Sequence, residues 1–128
     1  MVHSNSNQQI VINKRKTGNA YERRAAEYLR QNGVTIMEMN FSLKGGEIDI
    51  IGNDNGTYIF VEVKYRKNTS YGHPSESVTY KKQKTICRIA TLYKQIKKLP
   101  EFGSFRFDVI SILDDNITWY KNAFYYHV

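Results

Sequence analysis

The sequence predicts an α/β domain with a mixed central β-sheet flanked by helices. Two segments, about 18–32 and 75–98, carry apolar stripes at helical spacing. Five others, around 34–41, 47–51, 58–65, 105–113 and 117–121, alternate with period two or are rich in β-branched and aromatic residues. The order is helix, three strands, helix, two strands, and interleaving of this kind builds a sheet with helices packed on it. At 128 residues the chain supports one core and not two, and its 41% hydrophobic content is ordinary for a globular protein.

Residues 1–16 read as a tail and 17–128 as the domain. Met1 to Gln9 is polar and lacks helical periodicity, which predicts disorder, and Lys14-Arg15-Lys16 adds a basic run. The first helix is expected from about Gly18 to Asn32, with Thr17 as N-cap and Gly33 as the stop. Ala25, Ala26 and Leu29 form its apolar stripe, and Glu22 lies on that same stripe. Two readings stand for Glu22: a first-turn carboxylate favoured by the helix dipole, or a carboxylate that the helix delivers to a site. Val34 to Phe41 reads as the first strand, with Thr35, Met37, Met39 and Phe41 on one face.

In the next strand Glu47 and Asp49 share one face while Ile48 and Ile50 share the other. Asn53 to Gly56 supplies turn chemistry, and Asn55-Gly56 is the strongest hairpin signal in the chain. Tyr58 to Tyr65 follows as a strand with Ile59, Val61 and Val63 on one side and Phe60, Glu62 and Lys64 on the other. Lys67 to Pro74 is a polar loop, in which His73 reads as an exposed histidine or a substrate contact.

The second helix is expected from about Ser75 to Lys98, on a stripe of Val78, Ile86, Ile89, Ala90, Tyr93 and Ile96. Cys87 is a small packing residue within it, and Lys81, Lys82, Lys84 and Arg88 decorate its surface. Pro100 ends it. Phe105 to Leu113 is the fourth strand, with Phe105, Phe107 and Val109 facing one way and Arg106, Asp108, Ile110 and Ile112 the other. Asp108 is assigned a structural role, paired with Arg106 or a lysine. Asp114 to Asn116 is a turn and Ile117 to Lys121 the fifth strand. The aromatic run Ala123-Phe124-Tyr125-Tyr126 covers a sheet edge or supports a homodimer.

Glu47, Asp49, Glu62 and Lys64 thus gather on two strands that are otherwise strongly apolar, where charge is expensive unless paired. Glu62 and Lys64 emerge roughly 7 Å apart on one face. Carboxylates in such a group suit a hard divalent cation, which polarises a phosphoryl oxygen and lowers the pKa of a bound water. A neighbouring lysine then orients that water or steadies developing negative charge. The plainer alternative is a cross-strand ion pair on a half-exposed hairpin, worth under ~1 kcal/mol.

Gly46-Glu47-Ile48-Asp49-Ile50-Ile51, Phe60-Val61-Glu62-Val63-Lys64, Tyr71-Gly72-x-Pro74 and Arg106-Phe107-Asp108-Val109 resemble, in order, the successive blocks of the YraN-type family. That small bacterial family is similar to the PD-(D/E)xK nucleases, archaeal Holliday junction resolvases among them. The resemblance runs from about Gly18 to the C-terminus. It implies a restriction-endonuclease-like fold, Mg²⁺ or Mn²⁺ as cofactor, and DNA, branched or structured, as partner. It puts Asp49 in the place of the nuclease motif's aspartate, Glu62-Val63-Lys64 in that of its ExK, and Glu22 in that of the helix carboxylate. Glu22, Asp49, Glu62 and Lys64 are then the catalytic set, with the metal held by Glu22, Asp49, Glu62 and the Val63 carbonyl. Lys82 and Gln83 match the family's K-Q pair, where related nucleases place a polar residue beside the metal. Lys44, Arg66, Lys82 and Gln83 are the expected nucleic-acid contacts. The chain departs from the family at Asn40-Phe41-Ser42, where members carry arginine in the third position. Lys44 keeps one charge nearby, so the departure bears on that phosphate contact alone.

Composition narrows the classes further. No run of 18 or more apolar residues occurs, so no segment is expected to span a membrane, and the N-terminus lacks a signal peptide's apolar core. The single cysteine cannot form an internal disulfide, which fits a cytoplasmic protein. No Cys/His cluster of zinc-site spacing is present. A formal charge of +7 favours nucleic acid as a partner. The leading expectation is a metal-dependent nuclease; the alternatives are a non-catalytic nucleic-acid-binding protein of the same fold and a protein-interaction subunit.

Overall fold

The structure, a computed structural model, describes residues 20–66, 78–100 and 103–127. Helix α1 covers residues 20–31. Strands β1 (Thr35–Leu43), β2 (Gly46–Asp54) and β3 (Thr57–Arg66) follow, then helix α2 (Tyr80–Ile96), β4 (Phe105–Leu113) and β5 (Asn116–Phe124). The strands form one sheet in the order β1-β2-β3-β4-β5. Only β3 and β4 run parallel, because α2 lies in the connection between them; the other three pairings are antiparallel. The sheet is therefore mixed, as the element order predicts.

Each face buries its own core. Ile86, Ile89, Ala90 and Tyr93 of α2 pack against Ile48, Ile51, Phe60, Phe107 and Val109. Ala25, Ala26 and Leu29 of α1 pack with Val34 against Ile50, Ile59, Val61, Ile110 and Ile112. The expected facing of β3 and β4 is thus the observed one. Local chemistry sets the ends of the elements. Gly33 adopts φ 91 after α1, and the Val34 N–H returns to the Leu29 carbonyl at 3.0 Å. Asn55 and Gly56, both at positive φ, close the β2–β3 hairpin. Thr79 caps α2 by accepting the Lys82 N–H at 3.1 Å.

Several boundaries and faces differ from the expected ones. Helix α2 starts at Tyr80 because Thr79 caps it, so Val78 precedes the helix, although it is buried in the same core. Ile96 is 56% exposed and takes no part in the buried stripe. Strand β5 is longer than expected and takes in Ala123 and Phe124; Phe124 stacks on Phe107, with ring centroids 5.1 Å apart. The single face proposed for Thr35, Met37, Met39 and Phe41 does not form. A bulge between Ile36 and Glu38 turns Met37 outward, and Met39 and Phe41 join opposite cores. Ile48 and Ile50 likewise go to opposite cores. Thr17, the basic run Lys14–Lys16, the Tyr71–Pro74 block with His73, and Ser75 lie outside the described residues.

Asp108 is fully buried and fully bonded. It accepts from Arg106 Nε at 2.9 Å, Trp119 Nε1 at 2.9 Å and the Asn122 N–H at 2.9 Å. Arg106 continues to Asp54 at 2.7 Å. This is the structural role assigned to Asp108, tying β4 to β5 and to the end of β2. Asp108→Ala strips Arg106 of its inner partner and is expected to cost ~3–5 kcal/mol, read as a fall in chemical-denaturation midpoint. A loss under ~1 kcal/mol would show that the network contributes little.

Candidate metal centre

The β2–β3 ladder runs from Asp54↔Thr57 to Ile50↔Val61 and stops there. Beyond that point Gly46 to Ile48 pair only with β1, while Glu62 to Arg66 pair only with β4. The sheet forks, and Asp49 stands in the fork. The Val63 N–H donates to Asp49 Oδ2 at 2.8 Å, so a carboxylate replaces the missing backbone acceptor.

Across β1 from Asp49 stands Asn40, at φ 52. Asparagine is among the few non-glycine residues that tolerate this left-handed conformation. The kink swaps the faces of both strands: Met39 and Ile50 join the α1 core, Phe41 and Ile48 the α2 core. It also aims the Asn40 side chain at two carboxylates, donating from Nδ2 to Glu22 Oε1 at 2.7 Å and to Glu47 Oε2 at 3.0 Å. Ser42, where family members carry arginine, donates to Glu47 Oε1 at 3.3 Å. Oxygens of Glu22, Glu47 and Asp49 all lie within 4.8 Å of one another. Helix α1 therefore does deliver Glu22 to the sheet, and no ion pair links Glu22 to a cation among the described residues.

Three carboxylates this close cannot all hold charge cheaply. Burial pushes Asp49 up to about 8, helped by the charge of Glu62 and opposed by the Val63 N–H. Burial also raises Glu22, against a lowering hydrogen bond from Asn40, while Glu47 adds to the rise and a hydrogen bond with Asp49 opposes it. Burial and crowding thus favour the protonated form of Asp49 near neutral pH.

Glu62 lies outside the tight triad, yet its charge reaches both Asp49 and Glu22. It is 5% exposed, and Oε2 faces Lys64 Nζ and Lys82 Nζ, each at 3.6 Å. Its other oxygen, Oε1, is buried with no hydrogen-bond partner among the described residues. An unpaired buried carboxylate oxygen beside three crowded carboxylates fits a hard divalent cation, which takes several oxygen donors and removes their repulsion.

The remaining expected residues divide. Lys64 and Lys82 stand at the centre through Glu62, and Val63 enters through its N–H. Gln83 is turned away: its amide donates to the Val78 carbonyl at 2.9 Å, and its Oε1 meets His127 Nε2 at 3.1 Å. Lys44 occupies the exposed β1–β2 turn, where its carbonyl accepts from Arg88 at 3.3 Å, and Arg66 ends β3. Glu47 and Asn40 are the members of the site that sequence reasoning did not assign. Alternation had put Glu47 on the face of Asp49; for Asn40 the one signal was the left-handed tolerance of asparagine.

Two outcomes follow from this crowding. Asp49 holds its proton more tightly folded than unfolded, so the metal-free protein gains stability that is fully present below pH 3.8 and is lost as the pH rises through about 8. Between pH 5 and 8 in EDTA, Tm is expected to fall by about 4 °C or more. Asp49→Asn should flatten the curve, and Mn²⁺ should offset the loss at pH 8; a Tm that climbs over this range contradicts the assignment. Glu22→Gln is expected to leave the EDTA Tm equal or higher while weakening Mn²⁺ affinity ~10-fold or more. A lower EDTA Tm with an undiminished Mn²⁺ shift would remove Glu22 from the centre.

Residues 21–112 match the model of Uncharacterised protein family UPF0102. A UPF0102 protein of Vibrio cholerae serotype O1 is 41% identical over 117 residues, covering 89% of this chain and 96% of its own. One from Lachnoclostridium phytofermentans is 42% identical over 113 residues, covering 88% and 96%. Another, from Persephonella marina, is 46% identical over 107 residues, covering 84% and 91%. With matches of this extent, the chain belongs to family UPF0102.

Proposed function

We propose that this protein is a metal-dependent nuclease that hydrolyses phosphodiester bonds in DNA, with branched or structured DNA as the preferred form. The forked sheet carries the reading, because it gathers Glu22, Glu47 and Asp49 within 4.8 Å and leaves a buried oxygen of Glu62 unpartnered beside them. Glu22, Asp49, Glu62 and the Val63 carbonyl are the residues to hold Mg²⁺ or Mn²⁺, with Glu47 as an added donor. Such a cation, when bound, supplies Lewis-acid polarisation of a phosphoryl oxygen and an acidified water.

The chain's own residues do the rest. Glu62 holds the Lys64 ammonium at the edge of the centre, where it orients the attacking water and steadies negative charge on the phosphate. Lys82, which meets the same oxygen of Glu62, positions the scissile phosphate in this reading. The formal charge of +7 draws the polyanion in. Among the described residues no helix is long and apolar enough to cross a membrane.

Pure protein incubated with linear, nicked and four-way DNA, in Mn²⁺ or in EDTA, tests the reading directly. Cleavage confined to Mn²⁺ is expected. Lys64→Met should then lower the cleavage rate at least ~100-fold with little change in DNA affinity, because its charge acts in the transition state. Salt-sensitive binding without cleavage would instead mark a non-catalytic nucleic-acid-binding protein. Binding to no DNA at low salt would leave the protein-interaction role.

A further inference from the structure

Helix α2 turns Ile86, Ile89, Ala90 and Tyr93 to the sheet and a different set to the outside. Lys81, Lys84, Arg88 and Gln95 recur at helical spacing on the outward stripe. With Tyr126 and His127 of the C-terminal segment they line a cavity of about 480 Å³. None of the residues lining it is acidic. The segment is fixed against the helix: His127 meets Gln83 at 3.1 Å, and Tyr126 Oη accepts from Thr91 Oγ1 at 3.3 Å. Tyr80 stacks on His127, centroids 4.5 Å apart, and Lys84 Nζ lies 5.7 Å from the centre of the Tyr80 ring. Tyr80 and Tyr126 remain 64% and 51% exposed. Exposed rings thus stand beside cations that have no acidic neighbour in the groove.

We propose that this groove binds a single-stranded segment of nucleic acid, with its phosphates along Lys81, Lys84 and Arg88 and its bases against the tyrosine rings. Charge complementarity selects a polyanion, and the rings select among polyanions. Unpaired bases stack on tyrosine, whereas those of a duplex are already stacked on one another. From Lys81 to Arg88 the helix rises about 10 Å, the length of about three stacked nucleotides. An acidic peptide would use the cations and gain little from the rings. The helix that lines the groove also reaches the carboxylates, since Lys82 meets Glu62. A strand held there would bring an unpaired arm to the carboxylates. Binding itself does not depend on the cleavage reading.

The test is anisotropy of dye-labelled dT12 with the full chain in EDTA at low salt, which reads binding alone. Wild-type protein should bind dT12 more tightly than a 12-base-pair duplex, and dT12 should resist competition by a poly-glutamate peptide. Tyr126→Ala should weaken dT12 binding ~5-fold or more. Lys84→Glu with Arg88→Glu, both at exposed positions, should weaken it ~30-fold and flatten its salt dependence. Circular dichroism checks that each variant is folded, and the wild-type comparison of single strand with duplex needs no variant. Equal affinity for duplex and dT12, effective competition by poly-glutamate, or no dT12 binding at low salt overturns the proposal. A protein that binds dT12 as expected yet cleaves nothing in Mn²⁺ leaves the groove standing and removes only the nuclease reading.

Discussion

The bond from the Val63 N–H to Asp49 governs how the two halves of the sheet can separate. Strands β2 and β3 part after Ile50↔Val61, and parting strands expose backbone donors that must be satisfied. Asp49 satisfies one of them at 2.8 Å, which commits a carboxylate to the interior of the fork. Everything else at the centre answers that commitment. Asn40 turns left-handed opposite Asp49 and holds Glu22 and Glu47, while Glu62 stands on the far branch with two lysines at its Oε2.

Among the described residues two groups of acidic side chains stand out, and they are built on opposite principles. Asp108 is surrounded by donors: a guanidinium, an indole and a backbone N–H complete its bonding. Asparagine at positive φ serves there too, since Asn122 at φ 56 brings its N–H to Asp108. That cluster is electrostatically closed and holds strands together. At Asp49 the neighbours are mostly other carboxylates, and its pKa climbs to about 8. Local conflict of this sort is tolerated where a ligand resolves it, which is why perturbed carboxylates gather at functional sites.

Helix α2 connects the parts. Its inner face builds one of the two cores, and Lys82 near its start reaches Glu62. The same helix packs closely on the β1–β2 hairpin, where a side chain at Gly46 would strike Thr85 and Ile89. Its position therefore fixes the carboxylate-bearing hairpin and the basic outer groove together. Displacing α2 would disturb both.

The sequence by itself determined the element order, the Asn55-Gly56 hairpin, the facing of β3 and β4, and the nearness of Glu47 to Asp49. Periodicity and turn chemistry are local, and local spacing carries them. It also pointed Glu22 inward, because a carboxylate on an apolar stripe must meet the sheet. Only the tertiary structure decided that β2 and β3 diverge and that Asn40 bridges two carboxylates. It alone put Ile48 and Ile50 on opposite faces and committed Gln83 to Val78 and His127 instead of the centre. Strict alternation assumes a regular strand, and one left-handed residue in a neighbouring strand cancels it. In that conformation Asn40 meets the carboxylates of Glu22 and Glu47. Those come from α1 and β2, at distances along the chain that no local pattern spans.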